Sequence, residues 1–256
     1  MADSADRPTA AGDEQRRVLA IFAHPDDVDF GAAGTIARWV EEGWDVRYVV
    51  VTDGQRGTQD LHASPEEFGA LRREEQRAAA AAVGVTSVTF LGYMDSELAP
   101  SLTLRRDISR EYRRHKPHRL LTMDPQPLPT DEFVNHPDHR IVGQTVLDVI
   151  VTGGTTAAIF PDLLLDESLE PWQGLEETWL MGPGGGDTVV DISKTYERKM
   201  AALHAHVSQV GEFELESFLG PRLAALGKPH GYEYAEAFRV ILRRRPTRRE
   251  PTPPER

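Results

Sequence analysis

The apolar run Val18-Leu19-Ala20-Ile21-Phe22 stops abruptly at Ala23-His24-Pro25-Asp26-Asp27. A short β-branched and apolar segment reads as a buried strand. At its end it releases one imidazole and two adjacent carboxylates. In open α/β sheets, ligands bind in the crevice beyond the carboxyl ends of the parallel strands. His24 and Asp27 can hold one divalent ion from this loop, which leaves Asp26 beside the ion to take a proton from a metal-bound water. The competing account makes Asp26, Asp27 and Asp29 simple caps of the helix that follows. A second cluster, His136-Pro137-Asp138-His139, shifts the balance towards chemistry.

Strand-like and helix-like patterns alternate along the chain. Strands are expected at residues 18–23, 46–52, 87–91, 119–123, 157–160 and 188–192. Helices are expected at residues 30–42, 65–83, 102–115 and 194–207, with a further helix opening near His136 and capped by Asn135. The connections are long enough for parallel pairing, so the fold class is α/β: a Rossmann-like, mostly parallel sheet with helices on both faces. Gly31 and Gly34 lower the helix propensity of their segment and point to a close backbone approach or to tight packing on the sheet. Residues 161–186 read as a loop-rich rim whose Trp172 and Trp179 are placed to stack on a sugar or an aromatic group.

Length and composition narrow the function classes. The chain has 256 residues, enough for one sizeable core, and 39% hydrophobic with 27% charged residues are globular values. With no cysteine, disulfides and thiolate sites are excluded, and a metal must be held by His, Asp or Glu. A net charge of −12 argues against a nucleic-acid surface. No apolar run is long enough to span a membrane, and the polar start lacks a signal-peptide core. The cytoplasm is therefore the expected compartment. Residues 1–16 read as a flexible leader, 17–242 as a single domain, and 243–256 as a disordered Arg/Pro tail. A homo-oligomer is compatible with this composition and not specified by it.

His136 and His139 are three apart at a helix start, so their rings can share one face. Three imidazoles and two carboxylates suit a borderline divalent ion. Zinc is the natural candidate, and ferrous iron would accept the same ligands. A metal site that keeps net positive charge lowers the pKa of bound water from about 15.7 towards about 7. A helix N-terminus disfavours an imidazolium, which helps His139 stay neutral as a ligand. His136 needs a counterweight to hold a proton for an oxyanion, and Asp138 is placed to supply one.

With AHPDD at 23–27 after a strand and HPDH at 136–139 opening a helix, the sequence resembles the PIG-L/LmbE-like deacetylases. This family includes N-acetylglucosaminyl deacetylases and the mycothiol and bacillithiol pathway enzymes. Thr52-Asp53-Gly54, Arg72-Arg73-Glu74-Glu75, Leu91 to Asp95, and Lys199 through Gln209 are also similar. The resemblance spans roughly residues 17 to 240. It implies His24, Asp27 and His139 as metal ligands, Asp26 as general base, and His136 as oxyanion stabiliser or acid tuned by Asp138. It places Arg72 and Asp95 where the family holds sugar hydroxyls. One position departs: mycothiol-type enzymes carry a tyrosine two residues before the first His of HPDH, and here that residue is Val134.

The expected activity is hydrolysis of an N-acyl group, chiefly acetyl, from an amino sugar or its conjugate, a small-molecule substrate. An amidase or deacylase acting on a thiol conjugate or a secondary metabolite is the second reading. A nucleotide-binding α/β module is the third, disfavoured because the first strand is followed by His-Pro-Asp-Asp where a pyrophosphate needs a glycine turn.

Overall fold

The computed structural model describes residues 15–126, 134–182, 185–211 and 213–243. The expected leader, apart from its last two residues, and the expected tail beyond Arg243 lie outside the described residues.

Seven strands form one sheet in the order β3-β2-β1-β4-β5-β7-β6. These are β1 (Arg17–Phe22), β2 (Asp45–Thr52), β3 (Ser87–Tyr93), β4 (Arg119–Met123), β5 (Glu177–Met181), β6 (Thr188–Asp191) and β7 (Ala235–Leu242). Pairing is parallel from β3 through β5, and β7 runs antiparallel between β5 and β6. The mostly parallel α/β expectation therefore holds. The helices are α1 (Asp27–Glu41), α2 (Pro65–Ala82), α3 (Leu102–His115), α4 (Pro137–Val151), α5 (Pro161–Leu165), α6 (Tyr196–His204), α7 (Val207–Val210) and α8 (Leu215–Gly227). α1 and α2 pack with α6, while α3 packs with α4.

β1 is the hub. Val18 through Ala23 are at most 1% exposed, covered on both faces as a central parallel strand must be. Val18, Leu19, Ile21 and Phe22 each contribute roughly 1.5–3 kcal/mol through burial. From β1 the chain winds outwards through β2 to β3, then returns to place β4 on the other side of β1. The loops leaving β1 and β4 thus diverge at the point where strand order reverses, which is where such sheets open a crevice. Two glycines bring helices close to this frame. A Cβ on Gly34 would stand 2.8 Å from Ile192, and one on Gly143 would collide with the Met123 carbonyl oxygen. Gly34 is thus a packing device, and Gly143 lets α4 lie against the end of β4.

Several expected boundaries are corrected. α1 begins at Asp27, three residues before the expected start, because the amides of Asp29 and Phe30 already bond the Asp26 carbonyl. The expected strand at 157–160 is a run of turns. Arg113, wholly buried, donates to the carbonyls of Gly153, Thr156 and Ile159, which removes the acceptors a ladder would use. The fifth strand instead comes from within the expected loop, as β5, and α5 also lies there. The expected helix at 194–207 breaks after His204 into α6 and α7. The N-cap of α4 is His136, not Asn135. Asn135 donates to the carbonyls of Asp124 and Gln126, tying the exit of β4 to the start of α4. Trp172 and Trp179 are structural: the indole of Trp172 bonds the Pro117 carbonyl, and Trp179 packs edge-on against Trp39 and Phe238. His115, at the end of α3, is buried against Arg47 and Glu111.

Candidate active site

The two clusters that are 112 positions apart in the chain, counted from His24 to His136, meet at the β1/β4 crevice. The His24 ring lies 4.9 Å from that of His136 and 5.3 Å from that of His139, and the two α4 rings are 5.2 Å apart. One nitrogen from each falls within 4.8 Å of the other two. Asp27 bridges the clusters. Its Oδ1 stands 3.0 Å from His139 Nε2, and its Oδ2 stands 3.4 Å from His24 Nδ1 while accepting the His24 amide at 2.7 Å.

His24 has acids at both ring nitrogens. On the far side, its Nε2 lies 3.2 Å from Asp95 Oδ1 and 3.2 Å from Asp138 Oδ2. Burial opposes a charge on His24, yet the carboxylates, Asp27 foremost, push its pKa up to about 12. Burial likewise opposes ionisation of Asp27, but His139 and His24 hold it well below the carboxylate range. Against the same opposition from burial, contact with His24 brings Asp95 down to about 2 and lowers Asp138, which also accepts the Ser96 amide. Carboxylates facing both nitrogens of this buried imidazole leave the pocket rich in negative charge. His, His and Asp donors facing one another there fit a divalent cation. In that arrangement, Nε2 of His24 donates to the two acids that orient the ring, and Nδ1 faces the side of Asp27 and His139.

Asp26 does not serve as a cap. Its side chain makes no capping bond to α1; its Oδ2 lies 2.9 Å from Arg72 Nη2. Burial pushes its pKa up, Arg72 pulls it down and Asp27 raises it again, to about 7. That value suits a group that must release and accept a proton near neutrality. His136 differs from expectation in its partner. Its Nδ1 accepts the Asp138 amide at 3.3 Å, which places the ring proton on Nε2. Burial and the neighbouring His24 and His139 lower its pKa, and Asp138 opposes that shift only through space.

Arg72 and Asp95, expected to hold sugar hydroxyls, are 3% and 6% exposed. The two terminal nitrogens of Arg72 donate to Asp26, Pro25 O and Gly54 O, thereby joining the loops after β1 and β2. Asp95 accepts from the Ser96 hydroxyl and the Arg56 amide as well as facing His24. Sequence reasoning missed Gln76, whose side chain bonds the Asp26 amide, and Ser96, whose amide holds Asp138. The four-residue spacing of Arg72 and Gln76 on α2 was the available signal for the first. His206, within the family-like run Lys199 through Gln209, is fully buried against Asp29.

A doubly wound sheet with an imidazole and carboxylate cluster at its switch point places the chain among α/β proteins whose site is built on strand-end loops. The chain belongs to the PIG-L family, described as GlcNAc-PI de-N-acetylase, whose model matches residues 19–150 and so takes in both clusters. The diacetylchitobiose deacetylase of Thermococcus kodakarensis is 33% identical over 229 residues, covering 88% of this chain and 83% of that one. A 1D-myo-inositol 2-acetamido-2-deoxy-alpha-D-glucopyranoside deacetylase of Mycobacterium sp. strain JLS is 28% identical over 236 residues, 76% of this chain and 74% of the other. The solved N,N'-diacetylchitobiose deacetylase of Pyrococcus horikoshii is 32% identical, with a TM-score of 0.81 over 89% of this chain and 84% of its own.

Proposed function

We propose that the protein hydrolyses the N-acetyl group of an N-acetylglucosamine-type amino sugar or its conjugate, releasing acetate and a free amine. The observation that carries this reading is the meeting of His24 and His139 on the two oxygens of Asp27, beside an Asp26 whose carboxylate makes no cap and is held by Arg72. The names of the relatives, all deacetylases of acetylated amino sugars, support the same substrate class.

The metal ligands in this reading are His24, Asp27 and His139, with zinc the preferred ion and ferrous iron accepted by the same donors. A divalent cation held there supplies Lewis-acid activation of water and of the amide carbonyl. Asp26 takes the proton of the attacking water and, its pKa lying near neutrality, passes it to the departing amine. His136, with its proton on Nε2, donates to the developing oxyanion as a neutral imidazole. Asp138 and Asp95 orient His24, so Asp138 acts on His136 only at a distance. Arg72 holds Asp26 first, and any contact it makes with a sugar hydroxyl is additional to that.

Val134 favours a second reading for the conjugate. It is 60% exposed two residues before His136, and Met94, next to Asp95, is 38% exposed. An apolar group attached to the amino sugar, or a different amide-linked metabolite, would meet these side chains at the mouth. Acetate release should be measured on diacetylchitobiose, N-acetylglucosamine and an apolar N-acetylglucosaminide, with metal content determined in parallel. Loss of all amide cleavage in fully metallated protein would sink the hydrolase reading.

A further inference from the structure

Asp26 sits at φ 94°, ψ −28°, a left-handed conformation that a residue with a side chain enters only at a cost. Something must hold it there. Gln76, wholly buried on α2, makes two bonds: its Oε1 accepts the Asp26 amide at 2.8 Å, and its Nε2 donates to Asp29 Oδ2 at 2.9 Å. The same Asp29 oxygen lies 2.8 Å from His206 Nε2, and both of those residues are completely buried. Asp29 can only accept when ionised, so it fixes which end of the Gln76 amide faces it and leaves the oxygen for Asp26. One turn earlier on the same helix face, Arg72 holds the other end of Asp26, its carboxylate.

We propose that Gln76 is a positioning residue for Asp26, holding its backbone in the left-handed turn that presents the carboxylate to the reacting water, with Asp29 and His206 locking the Gln76 amide from behind. This rests on Asp26 being the base. The side-chain bonds of Gln76 go to Asp26 and Asp29 and to none of the three proposed metal ligands, so its loss acts on turnover and leaves metal binding unchanged.

The test compares Gln76→Met and Gln76→Glu, each in the parent enzyme and with Asp26→Ala. Misplacing a catalytic group by an ångström costs up to about a hundredfold. Gln76→Met is therefore expected to lower kcat about tenfold or more, with KM and zinc stoichiometry unchanged. In the Asp26→Ala background the same change should add nothing. Gln76→Glu faces Asp29, His206, the Asp26 amide and Arg72. Only when protonated does its carboxyl offer the acceptor and donor of the original amide. Its activity relative to the parent should therefore fall as pH rises. A parental kcat in Gln76→Met, or an equal loss with and without Asp26, overturns the proposal. If Gln76→Met does not fold, a pH-independent activity ratio for Gln76→Glu overturns it instead. Full turnover in Asp26→Ala alone would refute the base reading, and this inference with it.

Discussion

The Nη2 of Arg72 lies 2.9 Å from Oδ2 of Asp26, and the guanidinium is nearly inaccessible to water. A buried cation at that distance favours the carboxylate over the acid, against the desolvation and the Asp27 charge that push the other way. Asp26 works as a base only when ionised, so kcat/KM falls as pH drops through its pKa. With burial and its charged neighbours together raising the Asp26 pKa to about 7, that pKa sets the limb, and a bound cation moves it lower. Removing the Arg72 charge removes the attraction that favours the carboxylate. Arg72→Met should therefore move the acid limb to higher pH, which a pH–rate profile of kcat/KM reads directly. An unmoved limb would show that Arg72 does not tune the base.

The left-handed backbone at Asp26 gives a prediction about stability that is separate from catalysis. Glycine occupies positive φ without steric cost, whereas alanine does not. Both substitutions delete the carboxylate and leave Arg72 facing the same gap. Asp26→Gly should therefore be more stable than Asp26→Ala by about 1 kcal/mol, the lower end of the cost of such a conformation. Thermal melts of the two inactive variants, each without added metal, make the comparison.

Metal binding should follow the bridging position of Asp27. Asp27→Ala removes a donor and also the anion that both His24 and His139 face. His139→Ala removes one imidazole, and Asp26→Ala removes none of the proposed donors. Titration with zinc should show affinity lost by about a hundredfold or more for the first two, the scale of losing a ligand or its close partner. Asp26→Ala should bind zinc normally while losing about a hundredfold or more in turnover. Zinc binding by His139→Ala equal to that of the parent would be incompatible with the ligand set.

The site was legible because its residues cluster in two tetrapeptides at strand ends, where side-chain type alone signals chemistry. β1 through β4 were legible because apolar runs end at Gly or at charged loops. What failed depended on tertiary partners. Residues 157–160 have strand-like composition, but Arg113, reaching across from α3, claims the carbonyls of Thr156 and Ile159. β5 was hidden by its one tryptophan, Trp179, which reads as a ligand platform and instead packs against Trp39 and Phe238 in the core. α8 and β7 had no motif to mark them, although β7 closes the antiparallel half of the sheet. The direction of Asp138 was equally invisible, since Ser96, forty-two residues earlier, supplies the amide that aims it at His24.

The buried pair of Lys199 and Glu236 offers a control for all of these. Lys199 is 0% exposed and donates to Glu236 Oε1 at 2.8 Å and to the carbonyls of Asp29 and Phe30 in α1. Glu236 in turn accepts the amides of Gly34 and Thr35, so a residue of β7 is clamped to the middle of the first helix. Lys199→Met leaves a buried carboxylate without its cation and should destabilise the protein by about 3–5 kcal/mol. Adding Glu236→Gln removes the stranded charge while keeping an acceptor oxygen for one of the two amides, and should recover part of that loss. Denaturant unfolding of the single and double variants measures the coupling. A double variant as unstable as the sum of the singles would mean that the two side chains act independently and that their charges do not need each other in the core.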